Sequence, residues 1–254
     1  MRFSIITPTY NRSEKLLRAV KSVQQQTYTD WELLIVNDSP LDTRYASFET
    51  SIEDPRIRYL KNTKNEGVNF SRNRALEARS NDSAWTIFLD DDDYLAPDAL
   101  ATAVDLIEKY PLQKWFLTNR AYKDGKPITS FPKEDHAYSY SIDYLLLRHG
   151  KGDATHWIQT EISKAVRFST RIRQAEEWLF FYQIGCKSSL FYHGHNSTIT
   201  DGYSADGLNF RIRSKKEQLL ILSLLLEEGL HLRLWYRPTF ILYLTLRCIR
   251  SFLR

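Results

Sequence analysis

The 254-residue chain has only two cysteines, Cys186 and Cys248, and a single methionine. Two thiols so far apart in sequence build neither a disulfide framework nor a zinc site. Long apolar runs are missing as well. The longest uncharged stretch near the C-terminus, PTFILYLTL from Pro238, falls well short of the ~20 residues that cross a bilayer. Thr7, Pro8 and Thr9 interrupt the first apolar run at once, which is not the pattern of a secretory signal. A reducing, cytoplasmic compartment is the expectation. No glycine- and lysine-rich loop follows that run; TPTYNRSE stands there instead, which argues against a cradle for a triphosphate. Acidic residues stop at Glu228, whereas His231, Arg233, Arg237, Arg247, Arg250 and Arg254 follow. With a net charge of only +4, this asymmetry points to an anionic partner for the tail rather than for the whole protein.

What is present is globular: 43% of residues are hydrophobic and 26% charged. Short apolar runs read as strands at Phe3 to Pro8, Trp31 to Asp38, Ile57 to Leu60 and Trp85 to Asp90. Helical spacing links them, first over Ser13 to Gln25 with Ser13 as N-cap, later over Asn69 to Arg79. Continuous rather than alternating strands, separated by helices, predict an α/β fold with a mostly parallel central sheet flanked by helices. Ligands of such sheets bind beyond the carboxyl ends of the strands. Further on, the pattern predicts a helix over Pro97 to Tyr110 and a hairpin turning at Asp124 and Gly125, with ITSF as its second arm. It then predicts a helix over Asp143 to Arg148, a strand in THWIQT, a helix from Ala175 and a strand in LFYHGH. Two helical stretches, Asn209 to Glu228 and His231 to Phe252, close the sequence. No internal repeat or low-complexity linker intervenes. We read residues 1–205 as one domain, with a nucleotide-binding half (1–97) and an acceptor-side half (98–205), and 206–254 as a basic helical extension.

Four consecutive aspartates, Asp90 to Asp93, end the fourth apolar run. Adjacent carboxylates repel, so a fold that juxtaposes them has a use for the charge. In an extended segment Asp90 and Asp92 share one face, Asp91 and Asp93 the other. A pair on one face suits a hard divalent cation, whose shell phosphate oxygens and water complete. Alone, the run reads equally as a solvated acidic turn. Asp38 at the end of WELLIVND could accept hydrogen bonds from a base or ribose, or simply form an Asx-turn. Arg72 in NFSRNRAL could meet a diphosphate or the aspartates, or lie on a solvated helix face.

The order of the pieces says more than any one of them. SIITPTYNR, WELLIVNDSP, NEGVNFSRNRAL and FLDDDDYLAPD in succession resemble the family-2 glycosyltransferases of the GT-A fold, from about Phe3 to about Ser197. The resemblance implies inverting transfer of a sugar from a nucleoside diphosphate sugar, UDP-linked by preference, to an acceptor hydroxyl. It implies a divalent cofactor, Mg²⁺ or Mn²⁺, and a place in cell-surface polysaccharide, lipopolysaccharide or glycolipid assembly. The family's loop along the nucleoside corresponds to Thr7, Pro8, Thr9 and Tyr10, and its base contact to Asp38. Its Asp-X-Asp motif corresponds to Asp90, Asp91 and Asp92, with Asp92 on the metal and Asp90 nearer the ribose. Arg72 keeps the family's arginine. RQAEEWLF matches the acidic pair before an aromatic, which makes Glu177 the general base and Glu176 the fallback, although the family usually has aspartate there. FYHGHNST makes His195 a candidate metal ligand. A sugar-1-phosphate nucleotidyltransferase fits less well, for want of the triphosphate loop, and a degenerate binding domain is the non-enzymatic alternative. No nucleic-acid partner is expected. The basic tail reads either as a helix at an anionic membrane interface, on the cytoplasmic face, or as one packed on the domain.

Overall fold

A computed structural model describes residues 1–172, 177–202, 214–234 and 237–253. Residues 1–97 contain β1 (Arg2–Thr9), α1 (Ser13–Gln24), β2 (Trp31–Asn37), α2 (Arg44–Thr50), β3 (Ile57–Lys61), α3 (Val68–Ala78), β4 (Ser83–Phe88) and β5 (Asp93–Leu95). There follow α4 (Ala99–Lys109), β6 (Trp115–Tyr122), β7 (His136–Tyr138), a π-helical stretch (Tyr140–Leu146), β8 (Ala154–Gln159) and α5 (Thr160–Ser163). The last elements are α6 (Glu177–Gly185), β9 (Leu190–Thr200), α7 (Lys215–His231) and α8 (Pro238–Leu253).

One sheet runs in the order β3-β2-β1-β4-β8-β6-β9-β5, with β7 paired to β9. Strands β3, β2, β1 and β4 are parallel, as their unbroken apolar runs predict. Side chains alternate between two cores. Ile6, Leu34 and Val36 face Ala75 and Leu76 of α3, while Ile5, Leu33 and Ile35 face Leu16, Val20 and Val23 of α1. All but Val20 and Leu76 of these are at most 1% exposed. Each such burial stabilises the fold by about 1.5–3 kcal/mol before entropy is counted. Register levels the rim: Thr9 pairs with Asn37 and Asn37 with Lys61, and Leu89 N donates to Ile6 O at 3.0 Å. The acidic run therefore emerges beside the loop after β1.

Beyond β4 the sheet is mixed, since β8 runs antiparallel to β4 and β6, and β6 parallel to β9. The expected hairpin keeps its turn, where Lys126 N donates to Asp124 Oδ1 and Gly125 has a φ of 83°. Its second arm does not become a strand. β8 holds one edge of β6 as far as Asn119 and β9 the other, which leaves ITSF only bonds from Ile128 N and Thr129 N to Arg120 O and an isolated bridge from Ser130 to Lys151. Ser13 is not an N-cap; Arg12 holds that position and no side chain caps α1. The segment expected as an α-helix over Asp143 to Arg148 is π-helical and starts earlier, with Ser139 accepting from Ile142 N. Ala175 and the stretch 209–213 lie outside the described residues. The final helices break at 232–237, and α8 starts on Pro238, a residue preorganised for a first helical turn.

The extension is packed on the domain. Leu225, Leu234, Phe240 and Leu244 join the same core as Trp178, Tyr182 and Ile184. The Tyr182 hydroxyl bonds Thr239 Oγ1 at 2.8 Å, and the Trp178 and Tyr243 rings meet at 4.8 Å. Where α7 crosses α8, a Cβ on Gly229 would lie 2.3 Å from the Phe240 ring. Gly229→Ala is therefore expected to cost about 1–3 kcal/mol through overpacking. A lower urea midpoint at unchanged m-value is the expected reading.

Candidate active site

A cleft of about 1140 Å³ opens at the carboxyl ends of β1, β2 and β4. Pro8, Thr9, Tyr10, Asp38, Arg72 and Asp90 to Asp93 all line it, as do Glu177 and, from α8, Tyr243. Thr7 does not; it is 1% exposed inside β1. The loop after β1 is tied to the next one. Thr9 Oγ1 bonds the Tyr45 hydroxyl at 2.7 Å, Asn11 N donates to Ser39 Oγ at 2.9 Å, and Arg12 N donates to the Tyr45 hydroxyl at 2.9 Å. Asn11 takes a φ of 55°, the left-handed region that asparagine tolerates.

Asp38 is buried, and its carboxylate accepts from Asn62 Nδ2 at 2.7 Å and from Glu66 N and Gly67 N at 2.8 Å each. It thereby fixes the turn before α3, where Gly67 adopts a φ of 93°. That turn presents Arg72 to the cleft one helical turn later.

The aspartate run turns rather than extends, with Asp93 N donating to Asp90 O at 3.1 Å, yet burial still alternates along it. Side chains of Asp90 and Asp92 are 47% and 22% exposed, those of Asp91 and Asp93 only 7% and 4%. Three arginines from three elements hold them. Arg72 Nη2 donates to Asp90 at 3.0 Å, and Arg12 Nη1 reaches Asp91 at 3.2 Å and Asp92 at 2.8 Å. Arg120 Nη2 donates to Asp93 at 2.9 Å. Burial pushes the Asp91 carboxyl up to about 6 and that of Asp93 up to about 7, against the pull of Arg12 and Arg120. Arg12 and Arg120 carry no periodic signal in the sequence; one follows the TPTYN loop and the other sits within the strand KWFLTNRAYK.

Arg72 also pairs through Nη1 with Glu177 at the start of α6. Its side chain is 6% exposed and lies over the Phe168 ring at 5.4 Å. Burial opposes its charge, but Glu177 and Asp90 more than offset this and hold the guanidinium protonated. Glu176 lies outside the described residues. Asp90, Asp92 and Asp93 each offer a carboxylate oxygen within 4.8 Å of the others, an all-oxygen set suited to Mg²⁺ or Mn²⁺. Asp93 thus joins the pair read from the sequence. His195 is not brought to this cluster. Its ring bonds Ser197 Oγ at 3.0 Å and Asp98 Oδ2 at 3.3 Å, while His193 pairs with Asp135 at 2.6 Å.

Aromatic rings from several elements form the other wall. Tyr140 and Tyr144 stack at 5.1 Å in the π-helical stretch, and His156 lies on Phe181 at 3.9 Å. Burial pushes the His156 imidazole down to about 3, so it stays neutral and accepts from Trp115 Nε1 at 3.2 Å. Trp178 and Tyr243 complete the wall.

Comparison with known proteins agrees with this geometry. The chain is 36% identical over 99 residues to the putative colanic acid biosynthesis glycosyl transferase WcaA of Escherichia coli K12, which is 39% of this chain and 35% of that one. It is 36% identical over 107 residues to the Escherichia coli UDP-Glc:alpha-D-GlcNAc-diphosphoundecaprenol beta-1,3-glucosyltransferase WfgD, 42% of this chain and 41% of that one. The chain thus spans well under half the length of these relatives. The crystal structure of S. aureus TarS 1–349 in complex with UDP-GlcNAc superposes with a TM-score of 0.68 at 20% identity, over 89% of this chain and 67% of that one. The profile described as Glycosyl transferase family 2 matches residues 4–188, and the chain belongs to that family.

Proposed function

We propose that the chain is an inverting glycosyltransferase. It moves a sugar from a nucleoside diphosphate sugar, UDP-linked by preference, to an acceptor hydroxyl in cell-surface glycan or lipid-linked oligosaccharide assembly. The observation that carries this reading is Arg72, whose two Nη atoms bind Asp90 and Glu177 and so set the metal-facing carboxylates beside a candidate base. The donor set named above would hold Mg²⁺ or Mn²⁺, which when bound neutralises charge on the diphosphate. Pro8, Thr9, Tyr10 and Asp38 line the nucleoside side of the cleft, and Asp91 braces the loop that bears them. Arg72 supplies preorganised positive charge where the leaving diphosphate becomes more anionic. Glu177, with Glu176 as the fallback, takes the proton of the acceptor hydroxyl as its oxygen bonds the anomeric carbon. The bond from that carbon to the diphosphate breaks on the opposite face, so configuration inverts. The aromatic wall suits stacking on acceptor sugar rings. The relatives' names, which specify a UDP-glucose donor and a diphosphoundecaprenol acceptor in one case, support the donor and acceptor classes.

Glu177→Gln keeps the size of the side chain and removes the base. We expect kcat for UDP formation from a panel of UDP-sugars with Mn²⁺ and an acceptor to fall by about 10²–10⁴-fold, with donor KM little changed. Binding of UDP without turnover by the unaltered chain on any donor would instead favour a degenerate binding domain.

A peripheral contact with the cytoplasmic face of a membrane belongs to the same proposal. Among the described residues no helix is long and apolar enough to cross a membrane. Yet the outer faces of α7 and α8 expose Leu219, Leu226 and Leu230, and Ile241, Leu242 and Ile249, at helical spacing. Lys215, Lys216 and Arg233 are exposed on the same extension. Apolar stripes flanked by cations favour the interface of an anionic bilayer. Removing the extension would expose the core around Phe240, so surface changes test this better. Leu226→Glu with Leu242→Glu should abolish co-sedimentation with phosphatidylglycerol vesicles while leaving the thermal midpoint in place. Binding that persists would remove the membrane contact.

A further inference from the structure

Of the three arginines on the aspartate run, Arg12 is held differently. Arg72 is locked between Asp90 and Glu177 over Phe168, and Arg120 shares Asp93, Asp153 and Thr200. The side chain of Arg12 is 29% exposed, and among the described residues it bonds Asp91 and Asp92. Its backbone is pinned, because Arg12 N and the preceding Asn11 N are tied to Tyr45 and Ser39. The guanidinium can therefore swing about a fixed Cα. Asp92, the carboxylate it holds at 2.8 Å, is also one of the three whose oxygens converge within 4.8 Å. A divalent cation and a guanidinium on one carboxylate repel, and of the three arginines Arg12 is the most exposed and the least anchored, so it is the one a cation displaces. Asp91 is not stranded by the departure, since Tyr10 N still donates to it at 3.4 Å.

We infer that Arg12 is a positioning residue that occupies Asp92 in place of the metal and, once displaced, turns to the donor's diphosphate. The inference rests on the metal–diphosphate reading proposed above. Displacing Arg12 leaves an uncompensated cation in the cleft, and a diphosphate brings the anion that compensates it. Metal alone must break the Arg12–Asp92 pair without reward; metal with nucleotide exchanges one ion pair for two. The two ligands therefore bind cooperatively, and by linkage each tightens the other equally.

Mn²⁺ binding to the full chain, followed by electron paramagnetic resonance of the free ion with and without saturating UDP, tests this. In the unaltered chain UDP is expected to tighten Mn²⁺ by about tenfold or more, within the usual range of coupling between sites. In Arg12→Gln, Mn²⁺ alone is expected to bind about tenfold tighter, and the tightening by UDP to shrink to about threefold or less. Arg12→Lys keeps the charge, and because both contacts come from the single Nη1 an ammonium can partly replace them, so it should shift both quantities the same way by less. Unchanged Mn²⁺ affinity in both variants, with the UDP effect intact, overturns the role of Arg12 and leaves the metal site standing. No Mn²⁺ binding by any of the three proteins, with or without UDP, overturns the metal site itself and this inference with it.

Discussion

A guanidinium taken out of water needs carboxylates placed to meet it, and the site is organised around one such demand. Arg72, on α3, is almost fully covered and meets Asp90 from the rim of β4 and Glu177 from the start of α6. Without those partners a buried cation would cost several kcal/mol; with them it becomes a fixed distance between two halves of the chain. Asn69, one turn earlier on the same helix, donates to the carbonyls of Ser169 and Ile172, and Asn73 exchanges bonds with Phe168. The helix thus also holds the segment that leads toward Glu177. What looks in sequence like a polar helix face is the joint between the rim of β4 and the segments on either side of α6's start.

That joint explains which parts of the molecule could be read in advance. The parallel strands were legible because burial on both faces leaves an unbroken apolar run, and their order placed Asp38, Arg72 and Asp90 on one rim. Extended geometry would have put Asp93 on the face opposite Asp90 and Asp92, but a turn closed by Asp93 N on Asp90 O gathers the three. Arg12 and Arg120 were not legible, because each pairs with an aspartate far along the chain and neither lies in a periodic pattern. ITSF misled for a related reason: its local pattern is that of a strand, but β8 occupies that edge of β6 as far as Asn119 and leaves only a short end to bond. His195 matched a motif by position, yet the pairing of β9 with β5 carries its ring to Asp98.

The two possible fates of the basic tail turn out to concern different faces of the same helices. Phe240, Leu244 and Leu225 are buried, while Leu226, next to Leu225, and Leu242, two residues from both Phe240 and Leu244, are exposed. Packing on the domain therefore accounts for one face only, and the leucine-rich remainder is the unusual feature of the surface.

The contribution of Tyr243 to the cleft has a temporal side. Strands β1 to β4 form from one contiguous stretch that ends at Phe88, so their parallel core can assemble early in synthesis. The aromatic wall cannot close until α8 has left the ribosome, roughly ten to thirty seconds later at ~5–20 residues per second. A nascent chain would thus have its aspartate-bearing rim before its aromatic wall. The cleft is completed late in translation, when the helices that bear the exposed leucines are themselves in place.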